Sequence, residues 1–267
     1  QAYAPYIATL RANMRYAGAL RIDHVMGLLR LFWVPPGARA TVGTYVQYPM
    51  DDLLGILALE SQRQRCMVIG EDLGTVPDEI RVGLRQLGVL SYRLFYFERS
   101  QNGDFKPPRE YIEAATVAVT THDLATLAGF WTGQDLTEKH GLGLFPSEEM
   151  YQRQVREREQ DRRRLLRALA QEQLLPSTVD AHAADPPPMS PALAAAIHTY
   201  LARTPAKILL VQVEDVLGQA IPVNLPGTST ERANWRLKLG ADLDTLFASP
   251  GLAELSARLR AEGRGGA

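Results

Sequence analysis

Short apolar runs alternate with stretches of helical periodicity along this chain, and several of the apolar runs end in acidic residues. Residues 1–17 carry Tyr6, Leu10 and Met14 at helical spacing and close at Gly18. The run from Ala19 through Val25 follows as a strand that includes Asp23 and His24. A loop with Trp33, Pro35, Pro36 and Gly37 leads to a helix over 50–63, striped by Leu53, Leu54, Leu57 and Ala58. Residues 66–70 read as a strand ending at Glu71 and Asp72, and a helix over 77–87 starts at Pro77 and stops at Gly88. Three further strands are expected over 91–97, over 117–121 (ending at His122 and Asp123) and over 208–213. Strands alternating with helices indicate an α/β fold with a parallel sheet. Apolar strands with acidic C-terminal ends match the C-terminal part of a (β/α)8 barrel of the TIM type, where active residues occupy that rim. Five such units do not close a barrel, so about three are expected upstream of Gln1.

The rhythm is interrupted over 136–205, read as a helical insertion between a partial barrel at 1–135 and a closing part at 206–267. Within the insertion, 153–175 mixes arginines with Glu157, Glu159 and Asp161, the pattern of a solvated helix. Pro186, Pro187 and Pro188 mark a loop over 178–190. The stretch 232–262 reads as helical and frays over 263–266. Twenty-nine basic residues balance thirty acidic ones, a net charge of -1, which argues against a nucleic-acid or anionic-membrane partner bound by bulk charge. The single cysteine, Cys66, excludes an internal disulfide and leans toward the cytoplasm. No apolar run reaches membrane-spanning length, and the first residues lack a signal-peptide layout.

Asp23, Glu71 and Asp123 are the candidate catalytic residues, because converging strand ends gather their carboxyls at one mouth. Two carboxyls flanking a sugar bond suffice for glycosidic chemistry, one attacking the anomeric carbon and the other moving the proton. A third can stabilise the positive charge of the transition state. The same acids could instead cap the helices that follow. Arg21 lies two residues before Asp23, so strand alternation puts both on one face, where the guanidinium pairs with the carboxylate. Metal-dependent hydrolysis through Asp23, His24, Glu71, His122 and Asp123 is a different chemistry for the same positions. Against it, neighbouring residues of a strand cannot both point inward, and neither His-x-His nor His-Glu-x-x-His spacing occurs. The reading is therefore of no metal.

The blocks Arg21-Ile22-Asp23-His24, Gly70-Glu71-Asp72-Leu73-Gly74 and Thr121-His122-Asp123 resemble those of the amylomaltases, the 4-α-glucanotransferases of glycoside hydrolase family 77. The similarity extends to residues 10–15, Trp33-Val34-Pro35, residues 45–49 and 59–63, Val223-Asn224-Leu225-Pro226-Gly227-Thr228 and Asn234-Trp235-Arg236. It is greatest toward the enterobacterial maltodextrin-utilisation type. The resemblance implies cytoplasmic, cofactor-free transfer of α-1,4-glucan segments between maltodextrins by retaining double displacement. Asp23 is then the nucleophile, Glu71 the acid and later the base, and Asp123 the transition-state stabiliser. Retention implies working carboxyls about 5–5.5 Å apart, with Glu71 protonated and Asp23 ionised at the first step.

The resemblance also makes His24, His122 and Asn224 substrate ligands, although Asn224 before Pro226-Gly227 is equally a turn residue. Trp33 either stacks on a sugar or packs its proline loop, whereas Trp131 and Trp235 are expected in the core. His140, His182 and His198 read as incidental, Asp72 as a helix cap or a support for Glu71, and Asp215 stays unassigned. A plain α-glucan hydrolase with the same acids and a non-catalytic glucan-binding piece both remain open. With earlier barrel strands absent, the chain alone is expected to have little activity. It is also expected to associate through surfaces the missing part would cover.

Overall fold

A computed structural model describes residues 2–183 and 185–265. Ala184, in the expected 178–190 loop, and Gly266, in the expected frayed end, lie outside the described residues. The chain divides into two compact units, one of Gln1–Arg93 with Ala114–Thr116 and one of Leu94–Glu113 with Val117–Ala267.

The first unit runs α1 (Ala4–Met14), β1 (Ala19–Ile22), β2 (Arg30–Trp33), β3 (Thr44–Gln47), α2 (Met50–Gln64), β4 (Met67–Gly70) and α3 (Asp78–Gln86). It also holds nearly all of β5 (Leu90–Leu94). Helix α2 forms where Asp51 and Asp52 sit in its first turn, complementing the dipole, and Arg65 in the left-handed conformation ends it. Its stripe buries Leu54 and Leu57 with Leu10 and Met14 of α1, Val68 of β4, and Ile80 and Leu84 of α3. The α1–α2 contact is locked by Glu60, almost fully buried, whose two oxygens accept from Arg11 at 2.7 and 2.8 Å. That hydrogen bonding, aided by Arg63, draws the Glu60 carboxyl below its usual range against the opposing pull of burial.

Strand β1 pairs parallel with β4 from Ala19↔Met67 to Ile22↔Gly70, and β4 pairs parallel with β5 at Ile69↔Leu90 and Gly70↔Ser91. The segment read as a plain loop instead contains an antiparallel hairpin, β2 with β3, in the register Arg30↔Gln47 to Trp33↔Thr44. Cross-strand aromatics hold it. Phe32 meets Tyr45 edge-on at 5.2 Å, and the Arg30 guanidinium lies 4.4 Å from the Tyr45 ring.

The second unit contains the end of β6 (Ala115–Ala118), then α4 (Leu127–Thr132), α5 (Gln134–Gly141), α6 (Glu148–Gln171) and α7 (Pro191–Ala202). After these come β7 (Ile208–Leu210), α8 (Val213–Val216), α9 (Leu243–Phe247) and α10 (Pro250–Ala261). Its core joins Phe95, Leu127, Trp131, Leu165, Leu166, Leu169, Leu193, Ile197 and Tyr200. The N-cap hydroxyls of Ser147 and Ser190 accept from Met150 and Leu193 and start α6 and α7. The charged face of α6 is partly engaged inside the unit: Arg158 donates to both Asp135 oxygens at 2.7 and 3.0 Å, and Arg99 to both Asp161 oxygens at 3.1 and 2.9 Å. Residues 232–242, expected to be helical, are irregular, and α9 and α10 form beyond them.

The strand order is β1-β4-β5-β6-β7, so, apart from the separate β2–β3 hairpin, strands follow one another across the sheet in sequence order, as in a β/α barrel. Among the described residues, no helix is long and apolar enough to cross a membrane.

Candidate active site

In the first unit, the paired ends Ile22 and Gly70 place Asp23 and Glu71 on adjacent strand tips. His24 turns the chain there with a φ of 44°, a conformation few non-glycine residues adopt. The turn lays Val25 against Gly70, where an added Cβ would come within 3.2 Å of the Val25 methyls. It also aims the His24 N–H at Glu71 Oε2 (2.9 Å). The Leu73 N–H takes the other oxygen at 2.7 Å, so two amides orient this carboxyl. A proton delivered from Glu71 therefore has to occupy a lone pair that neither amide uses. The Glu71 main chain completes the lock, its N–H donating to Ile22 O at 2.9 Å and its carbonyl accepting from Val25 at 3.0 Å.

Asp23 is open to solvent, with 76% of its side chain exposed, and Arg21 Nη1 lies 2.8 Å from its Oδ1. The Arg21 guanidinium rests 5.5 Å from the Tyr92 ring. Asp72 caps no helix. Buried, it accepts from the Tyr92 N–H at 2.9 Å, Ser91 Oγ at 3.0 Å and Arg93 Nη2 at 3.1 Å, tying the residue after Glu71 to β5. Trp33 stands on the hairpin, half exposed, and its Nε1 donates to Tyr48 Oη at 3.0 Å.

In the second unit, buried Val119, Thr120 and Thr121 lead from β6 to His122 and Asp123. Asn224 Nδ2 donates to Asp123 Oδ1 at 2.6 Å, and His122 Nε2 lies 3.2 Å from Asp123 Oδ2. Asn224, about a hundred residues further along the chain, thus forms one cluster with the adjoining pair His122 and Asp123. Trp235 joins it, its ring centred 5.1 Å from that of His122. Far from lying in the core, Trp235 is 64% exposed, at the end of a loop whose backbone keeps it at the surface. Trp131 is buried, its Nε1 donating to Pro187 O at 2.7 Å.

Asp215, unassigned from sequence, is buried after β7 and accepts the Leu127 N–H at 2.7 Å, anchoring the start of α4 beyond Asp123. His198 Nε2 lies 3.7 Å from its other oxygen, with both side chains buried. Burial holds the Asp215 carboxyl up at about 7 and pushes the His198 imidazole down to about 4, so each favours its neutral form. His140 has a surface role, 2.7 Å from Glu148 Oε2 and stacked on Tyr151. Expecting Trp235 in the core from its size alone misses its place beside His122, a contact that its local sequence, which reads as helical, does not signal. Among the described residues, no group of three or more His, Cys, Asp or Glu is placed to hold a metal ion.

Fold and strand tips together define an α/β protein of the β/α-barrel class with carboxylates at its C-terminal rim. The chain belongs to the 4-alpha-glucanotransferase family of glycoside hydrolase 77, whose model matches residues 1–243. It is 42% identical over 250 residues to the 4-alpha-glucanotransferase of Haemophilus influenzae, covering 94% of this chain and 35% of that protein. It is 36% identical over 271 residues to that of Mycobacterium bovis, covering 98% and 36%. The crystal structure of amylomaltase from Corynebacterium glutamicum superposes with a TM-score of 0.86 at 28% identity, over 96% of this chain and 38% of that one. Amylomaltase from Streptococcus agalactiae in complex with acarbose shares the fold at 16% identity, with a TM-score of 0.69 over 99% and 45%. The chain therefore spans about a third of the length of the curated relatives it matches.

Proposed function

We propose that this chain carries the catalytic carboxylates of a 4-α-glucanotransferase and acts on α-1,4-glucans. The observation that carries the reading is the pair of neighbouring strand tips, with Asp23 beside Arg21 and Glu71 held by the amide of the residue following Asp23. Asp23 attacks the anomeric carbon, and Glu71 protonates the departing glycosidic oxygen. The resulting glycosyl ester on Asp23 is opened by an acceptor hydroxyl that Glu71 deprotonates, so configuration is retained. Arg21 aims the nucleophile by charge pairing. Asp123, fixed by Asn224, is assigned to stabilising the oxocarbenium-like transition state, and His24 and His122 to holding sugar hydroxyls. Trp33, open on its hairpin, is assigned to sugar stacking. The lone buried thiol of Cys66 agrees with a cytoplasmic enzyme.

Long incubation of the chain with maltotriose tests this. Glucose together with longer maltodextrins, lost in Asp23→Asn, is the expected product pattern, at a low rate for a chain of this length. A net gain of reducing ends makes it a hydrolase instead. A melting-temperature rise with maltoheptaose and no product makes it a glucan-binding piece. Neither product nor shift overturns the reading.

A further inference from the structure

Trp235 combines two features that folding alone disfavours. It is a large aromatic with most of its surface in water, and its backbone occupies the left-handed region at a φ of 62°. A glycine or asparagine would meet that turn without the steric penalty. The surrounding loop nonetheless enforces the conformation. The Trp235 N–H donates to Val223 O at 2.8 Å. The preceding Asn234 side chain donates to Thr228 O and Oγ1 at 3.3 and 2.8 Å and accepts from the Leu225 N–H and Arg232 Nη1 at 3.1 and 2.9 Å. Arg232, largely buried, is itself fixed on Glu138 at 2.7 Å. The indole is therefore a rigid apolar plate presented to solvent. Its ring lies beside that of His122, whose Nε2 is 3.2 Å from Asp123, and Asn224 holds the opposite Asp123 oxygen.

Strain and exposed apolar area that persist beside polar, ligand-ready groups mark a binding element. A pyranose ring has polar edges and a face of C–H groups. Polar groups and a flat aromatic side by side suit both parts of it. We infer that Trp235 is a sugar-stacking platform, packing against the C–H face of a glucosyl residue whose hydroxyls are held by the Asp123 cluster. The inference rests on the α-glucan reading above and adds a binding residue to it.

The test uses the 267-residue chain with its three tryptophans labelled at the indole nitrogen, the signals being assigned with Trp33→Phe and Trp235→Phe. On titration with maltoheptaose, the Trp235 indole signal shifts in step with the rise in melting temperature. Trp235→Gly binds maltoheptaose about tenfold more weakly, as expected for loss of one aromatic contact. It melts no lower than wild type without ligand, because glycine relieves the backbone. A core role predicts the reverse, a lower melting temperature and unchanged affinity, and that result overturns the inference. So does a Trp235 signal that stays put while maltoheptaose raises the melting temperature, an outcome that leaves the glucan reading standing. If maltoheptaose moves neither the melting temperature nor any indole signal, the glucan reading falls and this inference with it.

Discussion

Gly129 lies inside α4, and a Cβ built on it would sit 2.3 Å from the backbone carbonyl of Ala220. The obstacle is main chain, so it cannot swing aside as a side-chain tip could. Gly129→Ala is expected to cost about 1–3 kcal/mol, read by urea denaturation, despite alanine's better helix propensity. Asp215 supplies the other anchor of α4, and its titration makes stability depend on pH. Its carboxyl keeps its proton up to about 7 in the folded state but ionises near the ordinary value of 3.8 when unfolded. The stabilising contribution is therefore complete below 3.8 and is lost as pH rises through 7. His198 works oppositely, its contribution present above 6.5 and lost as pH falls through about 4. Asp215→Asn keeps an oxygen for the Leu127 N–H and removes only the first dependence. Its melting temperature relative to wild type is expected to climb by several degrees between pH 4 and 7 and to level off above 8. A flat difference across that range means that Asp215 is ionised in the fold.

Helix α6 shows how little a count of charges says about an element. Arg153 and Glu157 lie 3.7 Å apart and are more than half exposed, so Glu157→Gln should change stability by less than about 0.5 kcal/mol. Arg158 and Asp135 are largely buried, and the same guanidinium donates to Phe130 O at 2.8 Å. Asp135→Ala leaves that cation without its partner and is expected to cost about 3–5 kcal/mol in the same denaturation assay. The sequence marks both residues as charged but does not say which of them reaches a partner. Legibility follows this division. Strands were readable where an unbroken apolar run needs burial on both faces, as over 68–70, and acids were readable where they end such a run, as at Glu71. The β2–β3 hairpin was not, because Pro35 and Pro36 signal a loop and the aromatic that stabilises Phe32 comes from Tyr45, well along the chain. Residues 232–242 have helical composition, yet the side chains of Arg232 and Asn234 bond to nearby backbone and outcompete the helix. The same competition turned Trp235 outward, against the ordinary expectation for its size.

At the scale of the whole molecule, the sheet order begins at β1 and ends at β7, so each of these strands has a sheet neighbour on one side only among the described residues. Strand β7 has three residues and offers a short edge, but β1 has four, with Ala19 exposed and no proline to blunt it. Phe32, Trp33 and Tyr45 add exposed aromatic surface on the hairpin of the same unit. Unpaired strand groups beside apolar surface recruit another chain. The protein is accordingly expected to sediment above its 29.5 kDa monomer mass, with a weight-average mass that grows with concentration over the micromolar range. Ala19→Lys sets a charge on the β1 edge without touching the buried face and should return the distribution toward monomer while leaving the unfolding midpoint nearly unchanged. A single 29.5 kDa species at every concentration would show that β1 is a closed edge in solution. An assembly that Ala19→Lys leaves intact would move the contact away from β1, and the hairpin aromatics would then be the surface to vary.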